Sequence, residues 1–140
     1  MIYTVIQSQK ARCVFLTCSG DITLNGMTTA WQEVQHELAE LGWKQILVDV
    51  TGVQNGPDTA ELFDLAKIFW RSFPKSGRMA LVVRWDQSTL AKLLETLLRS
   101  VGLYLTVFVS EEMAMAWIME NIQNATSVSV ELMTENCGAI

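Results

Sequence analysis

Gln45-Ile46-Leu47-Val48-Asp49-Val50-Thr51-Gly52 is a short apolar run that closes on a hydroxyl and a glycine. Successive strand side chains point to opposite faces, so Ile46 and Val48 share one side and Leu47 takes the other. A strand that is apolar on both sides must be covered on both. Buried parallel strands of α/β sheets have that pattern. The loop Val53-Gln54-Asn55-Gly56-Pro57 is expected to follow it.

The sequence on either side of this strand alternates helix and strand. Upstream, Met27, Trp31, Val34, Leu38 and Leu41 recur at steps of three and four, which predicts a helix over 27–41. Gly42 stands where a helix C′ residue belongs. Downstream, Asp58-Thr59-Ala60-Glu61 reads as a capping box. The helix it opens runs to Phe73, with Leu62, Phe63, Ala66, Phe69, Trp70 and Phe73 as its stripe, and Pro74 ends it. Met79-Ala80-Leu81-Val82-Val83 is a second buried strand. A helix over 88–101 with Ser88 as cap follows, then the strand 104–109 and a helix from Ser110 to Ile122. At the start of the chain, residues 2–8 and 12–19 read as an antiparallel hairpin. The order is ββαβαβαβα. This is a single α/β domain with a mixed, mostly parallel sheet of about five strands, four helices and right-handed crossovers. The domain is expected to span 1–123. Residues 124–140 form an acidic tail in which Ser127-Val128-Ser129-Val130-Glu131-Leu132 reads as an edge strand.

Composition narrows the function. The chain has 140 residues, half of them hydrophobic, and a mean hydropathy of +0.24, so it is not a disordered polymer. All 10 basic residues lie within 1–109, where acids balance them. The net charge of −5 comes from Glu111, Glu112, Glu120, Glu131 and Glu135. Arg71, Lys75 and Arg78 are the one small basic group, and it reads as a solvated helix end. No nucleic-acid footprint is present, so no nucleic-acid partner is expected. No apolar run is long enough for an integral membrane segment, and the N-terminus has no signal-peptide pattern. Cys13, Cys18 and Cys137 are an odd set without close pairing, which suits a reducing, cytoplasmic setting. Cys13 and Cys18 are expected on opposite faces of one strand. With His36 as the single histidine, on a polar helix face, no metal site, cofactor or catalytic residue is assigned.

Ligands of open α/β sheets meet the carboxyl ends of the strands. That edge selects Asp49-Val50-Thr51-Gly52, Arg84-Trp85-Asp86 and Val109-Ser110-Glu111. A carboxylate pair of Asp49 with Asp86 is conceivable there, but capping and solvation explain both. The other feature is an apolar surplus. Met113-Ala114-Met115-Ala116-Trp117-Ile118-Met119 is apolar nearly all round, unlike a one-faced surface helix. The surplus admits two readings: coverage by the tail, or a dimer face or apolar pocket.

Asp49-Val50-Thr51-Gly52-Val53 with the helix after it resembles the STAS domains of the bacterial anti-sigma factor antagonists. Gly20-Asp21-Ile22-Thr23, Leu47-Val48-Asp49-Val50-Thr51-Gly52, Met79-Ala80-Leu81-Val82-Val83 and Glu111-Glu112-Met113-Ala114-Met115-Ala116-Trp117 are similar to the SpoIIAA-like, Sec14-related group of small bacterial proteins. The resemblance implies a non-enzymatic regulatory module that works through a protein partner or a second copy of itself. It places the binding loop at Asp49, Thr51, Gly52, Asn55, Asp58 and Thr59. In the antagonists a serine at the start of the following helix is phosphorylated. Here Thr59 matches the first hydroxyl of that motif, and Ala60 stands where the acceptor belongs. The Sec14-related side implies an alternative, a carrier or sensor of an apolar, lipid-like small molecule. Its pocket would lie between the second and fourth helices, lined by Phe69, Trp70, Phe73, Trp85, Met113, Met115 and Trp117.

Overall fold

The computed structural model describes residues 1–120. The expected tail and edge strand, the domain boundary at 123 and Cys137 lie outside the described residues. The elements are β1 (Ile2–Ser8), β2 (Cys13–Asp21), α1 (Leu24–Leu41), β3 (Gln45–Asn55), α2 (Thr59–Ser72), β4 (Arg78–Val82), a 3-10 turn (Trp85–Gln87), α3 (Ser88–Ser100) and β5 (Tyr104–Phe108). A fourth helix, α4, runs through 111–120.

The sheet has strand order β1-β2-β3-β4-β5. β1 and β2 pair antiparallel, and every later pair is parallel. Spatial order equals chain order, so the three crossovers all step in one direction. Right-handed crossovers that step one way place their helices on one face. α1, α2 and α3 accordingly pack together over Val14, Leu16, Ile46, Val48, Met79, Leu81 and Leu105. Among the described residues α4 is the helix on the opposite face, setting Ala114 and Ile118 against Cys13, Leu47, Ala80 and Val82.

Local signals worked where they act over a few residues. Thr23 Oγ1 accepts from the Gly26 amide at 3.0 Å, which starts α1 three residues before the apolar stripe does. Gly42 closes α1 at φ 68°, a left-handed conformation that costs glycine no Cβ clash. The capping box is formed: the Glu61 amide donates to Asp58 Oδ1 at 2.8 Å, and the Asp58 amide donates to Glu61 Oε1 at 3.2 Å. Phe73 is extended, as a residue before proline must be. Ser88 does not cap α3. Its hydroxyl donates to the Trp85 carbonyl at 2.6 Å, because the 3-10 turn already leads the chain into the helix.

Trp31 anchors the three-helix side. Its ring meets Phe69 edge-on at 4.7 Å and stacks on Phe73 at 5.8 Å. Its indole N–H donates to Ser72 Oγ at 2.8 Å, so a fully buried tryptophan keeps its one donor satisfied. On the other side Trp117 stacks on Tyr104 at 6.0 Å, and the Arg78 guanidinium lies 4.7 Å from its ring. The cysteines divide as expected: Cys13 is buried under α4 and Cys18 on the three-helix face. Burial pushes the Cys13 thiol up to about 12. Burial, helped by the nearby Asp49 charge, pushes Cys18 up to about 11.

Candidate functional site

β3 outruns the expected strand. It continues past Thr51 to Asn55, where a loop was expected. Two features carry it. β2 also runs on to Asp21, with register shifts between Thr17 and Ser19 and between Gly20 and Asp21. Gly52 then lies against β2 so closely that an added Cβ would stand 3.1 Å from that of Ser19. On its other side β3 loses its neighbour, since its pairing with β4 stops at Asp49↔Val82.

Side chains replace the missing strand. Arg84 Nη1 donates to the carbonyl of Thr51, and to that of Val53 at 2.9 Å. Gln87 Nε2 donates to the Val50 carbonyl at 2.8 Å, while Gln87 Oε1 accepts from the Arg84 amide at 2.8 Å. Buried carbonyls need partners, and these two residues supply them where β4 has ended. Arg84 also holds Asp86 through Nε at 3.0 Å, which keeps the Asp86 carboxyl below its ordinary range. The sequence reading selected this loop by its position at the strand ends but missed Arg84 and Gln87 as a clamp. Their one sequence signal is a donor-rich pair just after a buried strand.

Five of the six expected loop residues fall in three local groups, and Gly52 lies against β2. Asp49 Oδ1 accepts from the Thr51 amide at 2.9 Å and from the Thr51 hydroxyl at 2.7 Å. Asn55 Nδ2 donates to Asp21 Oδ1 at 2.8 Å, tying the ends of β3 and β2. Asp58 is engaged in the capping box, with Thr59 exposed as the first residue of α2. Asp49 and Asp86 each have a short-range partner, Thr51 for the first and Arg84 for the second.

The expected pocket between the second and fourth helices is not formed, because the sheet separates α2 from α4. Of its seven residues, Phe69 and Phe73 pack around Trp31, while Met115 and Trp117 belong to α4 and pack on the other face. Trp70, Trp85 and Met113 are 52%, 78% and 62% exposed. Side-chain apolarity alone did not tell which face of the sheet a helix would take.

Two apolar features do occur on the α2 side. Phe63 is 45% exposed and Trp70 lies one i,i+7 step further along, so they share the outward face of α2 with Ala60 and Lys67. Behind them, between α2, α3 and the sheet, is an apolar cavity of about 310 Å³ that opens beside the Arg84–Gln87 clamp. Among the described residues no group of three or more His, Cys, Asp or Glu could hold a metal ion. Among the same residues, no helix is long and apolar enough to cross a membrane. His36 lies on the surface with Nε2 3.3 Å from Glu40.

The fold defines a class: a right-handed α/β sandwich of the STAS type. Among solved structures it is similar to an anti-sigma factor antagonist from Mycobacterium paratuberculosis. The match covers 84% of this chain and 92% of that one, with a TM-score of 0.59 and 16% sequence identity. The likeness therefore lies in the fold. No protein-family model matches the sequence, and no curated protein matches it.

Proposed function

We propose that this chain is a non-enzymatic regulatory module of the bacterial cytoplasm that acts by protein contact, with a second copy of itself as the expected partner. The observation that carries the reading is the outward face of α2. Its inward face is already spent on the core through Leu62, Leu65, Ala66 and Phe69. Phe63 and Trp70 remain in solvent on a 14-residue helix, beside the binding loop that the family resemblance assigns. Large aromatics exposed together on one helix face are the anchors of protein interfaces. The fold shared with an anti-sigma factor antagonist supports the same class of action.

Regulation here does not need a phosphate. The Thr59 hydroxyl sits beside Asp58 and Glu61, whose carboxylates already serve the first amides of α2. A phosphate on Thr59 would add charge next to two like charges. Light-scattering mass across the micromolar range tests the proposal. The native chain is expected at dimer mass, and Phe63→Ser with Trp70→Ser at monomer mass with a native far-ultraviolet circular dichroism spectrum. A native monomer, or a double variant that still dimerises, contradicts it.

A further inference from the structure

We infer that the amino-terminal edge of the sheet is a docking surface for an acidic segment of a partner polypeptide. Cys13, Gln45, Arg78 and Tyr104 are successive partners in one row across β2, β3, β4 and β5. The chain enters three of these strands through basic residues: Lys10 and Arg12 before β2, Lys44 before β3 and Lys75 before β4. Arg78 itself opens β4. Strands stand about 4.8 Å apart, so these cations line one edge at short steps. A crossover helix ends where the next strand begins, so Arg71 and Arg99, in the last turns of α2 and α3, join the same edge. It then holds seven of the ten basic residues of the chain. Arg71 and Arg99 answer the partial negative charge of a helix C-terminus. The other five do not lie in a helix.

Among the described residues the ion pairs are His36 with Glu40, Arg84 with Asp86 and Lys92 with Glu95, and none of the seven takes part. Arg78 is the anchor of the surface. Its guanidinium carbon lies 4.7 Å from the Trp117 ring and 5.1 Å from the Tyr104 ring. Those rings hold the group in place. Among the described residues its N–H donors have no hydrogen-bond partner. A planar fork of unpaired donors receives a carboxylate through two parallel bonds. The Arg78 amide donates to the Lys44 carbonyl at 3.0 Å, which sets an ammonium-bearing residue beside the fork. Tyr104, 50% exposed, offers its ring to an apolar neighbour of that carboxylate.

The flanks decide the class of partner. Glu37 and Glu40 lie at the end of α1, and Glu120 lies at the end of α4. They narrow the basic ground to a stripe. A nucleic-acid backbone bears a charge at every step and would meet those acids. A polypeptide sets its carboxylates on the stripe and neutral residues beside it. This edge shares no residue with the outward face of α2 and stands independently of the proposal made for that face.

The test is fluorescence anisotropy of the full chain with three labelled probes of equal length at low salt. They are a peptide of alternating Glu and Ala, its Gln–Ala counterpart, and a single-stranded thymidine oligonucleotide. Saturable binding of the Glu peptide is expected, weakening as salt is added, with the other two probes weaker. Arg78→Gln is expected to weaken the Glu peptide by about tenfold. Arg78→Lys keeps the charge, loses the fork and should recover only part of that. Lys44→Gln together with Lys75→Gln, both at exposed positions, should weaken it by about fivefold. Lys67→Gln, on the exposed side of α2, should leave it unchanged. Amide NMR of the native chain covers the case in which an Arg78 variant fails to fold, with shifts on adding the Glu peptide centred on Lys44, Arg78 and Tyr104. The assignment is overturned by no saturable binding of the Glu peptide, which is also the result if this chain's own Glu131 and Glu135 occupy the edge. Equal binding of the Gln peptide, tighter binding of the oligonucleotide, or shifts centred elsewhere overturn it too. So does a lower native light-scattering mass in the Lys44 and Lys75 double variant, which would give the edge to a second copy.

Discussion

The two faces of the sheet are closed by different means. On one face three helices pack on the sheet, and α1 meets α2 at Trp31, which has two aromatic neighbours and a hydrogen bond on the indole. On the other a single helix lies over the central strands with small contacts, Ala114 and Ile118. Toward the β1 edge that second face has no helix among the described residues, and Ile2 and Ile6 are exposed. Helices on the first face are fixed by the crossovers that join the strands. The helix on the second face is placed only by its own apolar side chains. Connectivity therefore dictates one layer, and composition fills the other.

Paired truncations measure that difference. Trp31→Ala should cost about 3–5 kcal/mol, as buried aromatic truncations do. Trp117→Ala, half-buried at the rim of α4, should cost about 1–2 kcal/mol. Urea unfolding of both variants checks this, and equal losses would break the comparison.

The cysteines extend it to pH. Each face has one buried thiol, and burial raises both above the ordinary 9.0. A raised thiol favours the neutral form in the folded chain. Its contribution to stability is therefore complete below pH 9.0 and is lost as pH rises toward about 12 for Cys13 and about 11 for Cys18. Unfolding followed from below pH 9 to near 11 should show a loss of about 2 kcal/mol per thiol. Cys13→Ala and Cys18→Ala should each flatten the slope, and a slope unchanged in both would refute the assignment.

Arg84→Ala removes the clamp at the end of β3 and should cost about 1–3 kcal/mol by stranding the Thr51 and Val53 carbonyls. Arg84→Lys should rescue only part of this, since an ammonium lacks the planar fork that reaches two carbonyls and Asp86 together. Full rescue would mean that charge alone holds the joint. The smallest effect belongs to the outward face of α2. Phe63→Ser and Trp70→Ser should move the stability of the monomer by no more than about 0.5 kcal/mol each.

Much of this architecture was legible in the chain. The heptad-like stripe from Met27 to Leu38, the capping box at Asp58 and the Phe73–Pro74 stop each depend on neighbours within a turn or two. The hairpin and the parallel strands followed from alternation and from apolar runs. The illegible parts depend on distant residues. Thr51-Gly52 and Asn55-Gly56 read as turn formers because nothing nearby says that Arg84, 33 positions later, will accept the role of a strand. Of the seven expected pocket residues Phe69 alone lines the described cavity, for a related reason. Apolar excess on α2 and α4 is a property of each helix, whereas the face each occupies is settled by the path of the chain between them. Ala91, one small residue in a row of leucines, is among the residues that line the cavity.

Strand order that equals chain order also has a consequence for how the molecule is made. Among the described residues each strand pairs with the one synthesised just before it, so none of these pairings waits for a segment far downstream. The longest loop to be closed between paired strands is one helix with its connections, which keeps the entropic cost of each step low and similar. β2 can dock on β1 while the rest is still unsynthesised, and every later strand arrives at an edge that is already built. The chain is thus arranged to fold in the order in which a ribosome delivers it.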